Sequence, residues 1–420
     1  MISSNIMRIV ILVTCLVLFA FTAFALENVL DTYYEFGRKS SSGLVDEEDL
    51  TDEFYYSKYN IKFSQKISKP FSYYVKYQYY NKDFDTLENL DNNFHSSGIG
   101  IDATIYKKDG FSIKIGPDFE FKEKIYNDSP DLNYDQIKID LPFIFKKEGD
   151  WTIKLIGGMN SYHYPDAPKD QLKFNSRIDV TKKFFDEKLE IYSFYKFQYI
   201  DREKIADRLE RTYGASFDIK VNSQSVKSIG AGIEQGMDNT IIYEEREDSF
   251  DFKYFNWYLN IKYELFEKMK GAVKYTDLTR VYADLNHNFD GFMIENNWDT
   301  RAYETKDSTF DIKLGYLHKQ FRYPYVSSPF AFHNNAISAE GEFTKKNDWR
   351  ATIDSEVRFW DYPAKRMNDK IYYIEKIGIE KYFLKKDLTL GFDYRYTFKN
   401  FLHKLDITEY VFRFHVNYKF

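Results

Sequence analysis

Histidines and clustered carboxylates are where this chain of 420 residues could do acid–base or metal chemistry. Of its seven His, five fall in stretches that read as connectors: His95, His163, His287, His333 and His403. None stands at metal-ligand spacing from another. The acidic run from Asp46 to Glu53 offers carboxylates of the kind that suit Ca²⁺, but it lacks the glycine-centred spacing of a calcium loop. It reads as a solvated acidic connector. No catalytic residue, cofactor or metal is expected from these groups.

A second set of charged residues has a more regular spacing. Arg350, Asp354, Glu356 and Arg358 alternate with Ala351, Ile353, Val357 and Phe359. Lys58 and Lys62 alternate with Tyr59, Ile61 and Phe63 in the same way, and Lys76 with Val75 and Tyr77. Glu120, Arg177, Asp179, Arg395 and Arg413 sit in similar surroundings. Successive residues of a β-strand point to opposite faces, so each segment has one charged and one apolar face. Buried dry, such charges would be prohibitive; facing water they are ordinary. The signs are mixed, so they set no cation or anion selectivity. Inward tyrosines such as Tyr74, Tyr80 and Tyr192 could stack sugars, although cross-strand packing explains them as well.

The elements that carry these residues follow from composition and period. Aromatics make up 19 %, with 37 Tyr and 39 Phe, yet the mean hydropathy is −0.56. Apolar and charged residues are thus mixed at short range, which strands do by alternation and buried helices do not. Alternating segments recur from Glu27 onward. Several are joined by tight turns such as Lys107-Lys108-Asp109-Gly110, Lys147-Glu148-Gly149-Asp150 and Lys345-Lys346-Asn347-Asp348. The weakest are Val29 to Arg38 and Phe289 to Tyr303. Pro117 and Pro142 fall within one residue of each other if their hairpin pairs symmetrically, and each removes a ladder hydrogen bond, so a local break is expected there. The net charge of −6 gives no sign of a nucleic-acid binder.

Met1 to Ala25 reads as a cleaved secretory signal peptide. Arg8 is its basic residue, Ile9 to Phe21 its apolar core, and Ala23-Phe24-Ala25 its cleavage site. The single cysteine, Cys15, lies inside it, so the exported chain, 26–420, is expected to carry no disulfide. It contains no later apolar run of helical spanning length, so entry into a membrane would be by strands.

The last segment places Tyr410, Phe412, Phe414, Val416, Tyr418 and Phe420 on one face. This ending resembles the closing strand of bacterial outer-membrane β-barrels, which is apolar at alternate positions and finishes on an aromatic. The resemblance, with the repeated alternation, implies an all-β fold: one closed antiparallel barrel of about 20 strands, between about 18 and about 22. It implies short periplasmic turns, longer outer connectors and both termini on the periplasmic side of a Gram-negative-type outer membrane. Expected partners are outer-membrane lipid and the barrel-assembly machinery, which reads that last strand.

Strands begin soon after Ala25, leaving too little chain for a plug domain, so a porin-like channel for passive diffusion of small hydrophilic solutes is the leading expectation. The alternative is an interaction or structural barrel with a blocked lumen. An enzyme at the outer rim is a third reading, but nothing here resembles the motifs of outer-membrane proteases or phospholipases. Between Lys319 and Asn334, Phe321, Arg322, Tyr323 and Tyr325 are candidates for an inward-folded constriction. A homo-oligomer is left open.

Overall fold

The computed structural model describes residues 27–42, 54–85, 90–167, 169–202, 207–221, 223–241, 251–266, 269–282, 288–323, 331–363, 369–401 and 406–419. The expected signal peptide, the acidic run from Asp46 to Glu53, His287, His403, Tyr325 and Phe420 lie outside them.

The described residues form strands almost throughout. The first seven are β1 (Glu27–Ser42), β2 (Phe54–Ser68), β3 (Phe71–Phe84), β4 (Asn92–Lys108), β5 (Phe111–Ile115), β6 (Asp118–Tyr126) and β7 (Tyr134–Lys147). The next seven are β8 (Trp151–His163), β9 (Gln171–Phe184), β10 (Leu189–Arg202), β11 (Asp207–Lys220), β12 (Val226–Ile241), β13 (Phe252–Phe266) and β14 (Met269–Tyr282). The series ends with β15 (Phe289–Glu304), β16 (Ser308–Arg322), β17 (Phe332–Lys345), β18 (Trp349–Asp361), β19 (Lys370–Phe383), β20 (Leu388–Phe401) and β21 (Asp406–Lys419).

Neighbours in the chain pair antiparallel, and β1 pairs with β21 from Val29↔Lys419 to Ser42↔Asp406. The sheet is therefore closed, and no edge is left for a lipid environment to expose. β5 and β6 both lie between β4 and β7, so the segments make 20 strands around the barrel. Their separation at Gly116-Pro117 is the break expected from the two prolines. Pro117 has no N–H to donate, while its carbonyl accepts from Ile101 N–H (2.9 Å) and that of Pro142 accepts from Gly116 N–H (3.1 Å). β7 runs unbroken through Pro142.

Both weak segments are full strands. Val29 to Arg38 lies within β1, bonded along both sides, and Phe289 to Tyr303 within β15. Turn chemistry sets one end of the barrel: Asp109 and Gly110 have φ of 50° and 75°, the positive pair of a type I′ hairpin. Leu384, Lys385 and Lys386 also have positive φ (49°, 57° and 82°), a left-handed turn built without glycine. Both described ends of the chain lie at this short-turn end, where Lys419 Nζ sits 3.1 Å from a carboxylate oxygen of Glu27. The strands are not uniformly farther apart in sequence at the other end: β10 stops at Arg202 and β11 starts at Asp207, and β20 stops at Phe401 and β21 starts at Asp406, as close as Phe383 and Leu388.

Large apolar side chains cover the outer face, among them Tyr34, Phe36, Ile99, Phe143, Ile178, Phe217, Leu259, Leu314, Ile353, Ile379 and Phe414, all exposed. Across the seam, Phe36 stacks on Phe412 with centroids 5.0 Å apart. Among the described residues only five hydrophobic ones are buried. An inside-out distribution of this kind suits a chain whose solvent is lipid.

Candidate functional site

The twelve alternating charged residues singled out from the sequence lie opposite the aromatic face, six of them in cross-strand ion pairs and four in pairs within a strand. Arg413 Nε and Nη2 donate to Glu35 across the seam (2.8 and 2.5 Å). Arg395 donates to Glu409 (3.1 Å), Arg350 to Glu342 (2.7 Å) and Lys376 to Asp354 (2.7 Å). Arg358 is bonded to Glu356, its neighbour two residues away on the same face. Arg177 donates to Asp179 (2.8 Å), and Lys76 lies 3.4 Å from Glu120. Lys58 and Lys62 rest instead over the rings of Tyr33 and Tyr74 at 5.5 and 4.4 Å. The wall is thus strongly charged yet largely neutralised by local pairs. That is how a closely spaced set of ions lowers its mutual repulsion.

Glycine shapes the same wall. In β12, Gly232 and Gly236 face inward beside Tyr258 and Tyr254 of β13. A Cβ on Gly232 would meet the Tyr258 ring at 2.6 Å, and the Tyr254 ring fills the corresponding space at Gly236. Gly214 gives way to Phe194 in the same manner, at 2.6 Å. The rings therefore lie against the backbone instead of projecting into the lumen. They line a recess of about 400 Å³ together with Tyr192, Lys196 and Glu234. A second recess of about 730 Å³ lies nearer the short turns and is lined by Lys262, Lys270, Lys313 and Glu340 among others.

At the opposite end a recurring device closes the connectors. The last strand residue or the one just after it donates its backbone N–H to an Asp or Asn that opens or immediately precedes the next strand. Phe84 bonds Asp91 (2.6 Å), Tyr126 bonds Asn133 (2.6 Å), Tyr164 bonds Asp170 (2.8 Å), and Arg202 bonds Asp207 (3.1 Å). Tyr282 bonds Asn288 (2.6 Å), Tyr362 bonds Asp369 (2.7 Å), and Phe401 bonds Asp406 (3.1 Å). A short polar side chain capping a free backbone donor is what Asp and Asn do at turns. Burial pushes the Asp170 carboxyl up, but the Tyr164 N–H and His163 outweigh it, so the group titrates below its ordinary range.

Six of the seven donors are aromatic, and two of them, Tyr362 and Phe401, join a chain of inward rings inside the mouth. It runs from Phe289 to Phe321 (5.2 Å), Phe332 (4.8 Å) and Trp360 (4.8 Å), then on through Tyr372 (6.3 Å) to Phe401 (6.4 Å). Lys370 lies over four of these rings, those of Trp360, Tyr362, Tyr372 and Phe401. The constriction candidates divide here. Phe321 and Arg322 belong to strand β16, because the ladder continues to Phe321↔Phe332. Alternation turns Phe321 inward and Arg322 to the other face, so Arg322 is no part of a constriction. Tyr323 packs on Phe289 at 5.6 Å.

Three of the histidines are in strands, not connectors: His95 in β4, His163 in β8 and His333 in β17. His95 Nδ1 is 3.0 Å from the Tyr77 hydroxyl, and His163 Nδ1 is 2.8 Å from Asp170. Among the described residues no group of three His, Cys, Asp or Glu side chains is placed to hold a metal ion.

No family model matches the sequence, and no curated protein matches it. Solved structures match in shape. The FrpB iron transporter from Neisseria meningitidis aligns with a TM-score of 0.58 at 8 % identity, over 94 % of this chain and 81 % of that one. BauA, the ferric preacinetobactin receptor from Acinetobacter baumannii, gives 0.55 at 10 % identity, over 93 % and 79 %. OccAB4 of Acinetobacter baumannii gives 0.45 at 10 % identity, over 94 % and 99 %. The fold is that of the bacterial outer-membrane β-barrels.

Proposed function

We propose that this protein is an outer-membrane channel through which small hydrophilic solutes diffuse passively. One observation carries the reading: a closed barrel of 20 strands has an apolar outer face and an inner face of ion pairs. Barrels of about 16–18 strands already enclose an aqueous channel, and a wall with Arg413, Arg395, Arg350 and Arg358 on it belongs against water. Local pairing leaves little net field, so the wall biases passage weakly and gates nothing. The protein would sit in the outer membrane of a Gram-negative-type bacterium with both termini periplasmic, after loss of the Met1–Ala25 signal and insertion by the barrel-assembly machinery. We assign it no catalytic role. The test is conductance of the purified protein in planar bilayers. Stepwise ohmic insertions are expected. Their absence from correctly folded protein would favour a barrel with a blocked lumen and an interaction role for its outer connectors.

A further inference from the structure

We infer that the recess on the inner wall of β9–β13 is a binding subsite for neutral sugars in pyranose form. The inference rests on the channel reading, since it needs solutes to reach the inner wall.

The recess holds about 400 Å³, within the range of small-molecule sites. Its floor is aromatic and cleared by glycine. Tyr254 lies where a side chain on Gly236 would stand, Tyr258 where one on Gly232 would, and Phe194 does the same at Gly214. Cations cover two of these rings: Arg177 lies over Phe194 at 5.3 Å and Lys274 over Tyr258 at 5.0 Å. Among the described residues no cation covers Tyr254, which leaves it as the platform.

The rim is polar and its bonding groups are fixed in place. The Tyr254 hydroxyl donates to Glu234 (2.9 Å) and lies 3.0 Å from Thr212 Oγ1. On the other side the Tyr192 hydroxyl donates to Asp179 (2.6 Å) and accepts from Arg177 Nη2 (2.9 Å). Arg177 and Asp179 cancel, Lys196 and Glu234 add one charge of each sign, and Lys274 over Tyr258 leaves one surplus cation. A site of mixed sign with a single surplus charge selects an ion only weakly. It offers a flat apolar surface ringed by carboxylate acceptors and cationic donors. A pyranose matches both, with one face of C–H bonds to lie on a ring and equatorial hydroxyls that both donate and accept. An acyclic polyol has the hydroxyls without the flat face.

The probe is maltose, with sorbitol as the acyclic control. Binding is measured by calorimetry on detergent-solubilised protein, and block of current in planar bilayers. Maltose is expected to bind and sorbitol to bind several-fold and up to about tenfold more weakly, since sorbitol keeps the hydroxyls and loses the stacked face. Tyr254→Leu should weaken maltose about tenfold, the loss of one ring face and one bonding hydroxyl. Glu234→Gln, which keeps size and removes the charge, should weaken it by a smaller factor. Lys220→Gln, at the short-turn end, should leave it unchanged. Heat-modifiable migration on gels confirms that each variant has folded.

Equal binding of maltose and sorbitol would overturn the inference, as would wild-type binding by folded Tyr254→Leu and Glu234→Gln. Conductance without maltose binding overturns the subsite and leaves the channel. Maltose binding without conductance overturns the channel and leaves the subsite.

Discussion

The seam between β1 and β21 joins the two ends of the chain, and one inner-wall pair marks its register. Glu35 stands opposite Arg413, its side chain only 11 % exposed against 46 % for Arg413. A slip of one residue would turn one of the two strands over and send either Glu35 or Arg413 to the lipid face. A slip of two would set Glu35 against Val411 or His415. Replacing Arg413 by Met keeps bulk and removes both bonds, stranding a buried carboxylate. Breaking a buried pair from one side costs about 3–5 kcal/mol, and an exposed pair about 0–1 kcal/mol. With one partner buried and the other half exposed to the lumen, the expected loss lies between, at about 1–3 kcal/mol. Glu35→Gln removes the stranded charge, so the double variant should recover at least about 1 kcal/mol relative to Arg413→Met alone. The assay is guanidinium unfolding of protein in lipid vesicles, read by loss of heat-modifiable migration. The reasoning fails if Arg413→Met unfolds within about 0.3 kcal/mol of the wild type, or if the double variant recovers nothing.

The connector caps give a second expectation: Asp369→Ala should cost about 0.5–1.5 kcal/mol and speed hydrogen exchange at the Tyr362 amide, while Asp369→Asn keeps the acceptor and most of the stability. Lys385→Gly should stabilise by about 0.5–1 kcal/mol, because glycine adopts positive φ without the Cβ penalty; a loss of stability would refute a left-handed turn there. The Asp348 carboxyl is held below its ordinary range by hydrogen bonds from Lys381 and then Lys345. A depressed carboxyl pKa adds stability above the unfolded value that is lost as pH falls through the folded one. Asp348→Asn should therefore show a smaller drop in unfolding midpoint than the wild type between about pH 7 and about pH 3. Deleting Phe420 should lower the amount of assembled protein more than it alters the conductance of what assembles; normal surface levels would count against an assembly signal in the last strand.

Alternation made the strands legible one at a time, because which face a residue takes depends only on its own strand. Ile353, Val357 and Phe359 on one face and Arg350, Asp354 and Glu356 on the other need no knowledge of a partner. The same parity places Phe84, Tyr126, Tyr164, Tyr282, Tyr362 and Phe401 inward. A reading that assigned aromatics chiefly to the lipid face missed the inward ring clusters near the mouth, such as Phe54 with Phe84 and Phe332 with Tyr362. An aromatic followed five to seven residues later by Asp or Asn, as in Phe84 and Asp91 or Phe401 and Asp406, was the available signal. The weak segment Phe289 to Tyr303 gained its ladder from its neighbours, which bond it on both sides whatever its own alternation.

The sequence by itself determined the fold class, the strand number to within a few, the charged and apolar faces, and the break at Gly116-Pro117. Each of these follows from local periodicity or from a residue's own backbone chemistry. Only the tertiary structure decided the pairs that make the wall a site: Glu35 with Arg413, Tyr254 beside Gly236, Tyr192 between Asp179 and Arg177. Those pairs depend on register between strands, and register is fixed by closure of the whole sheet rather than by any segment alone.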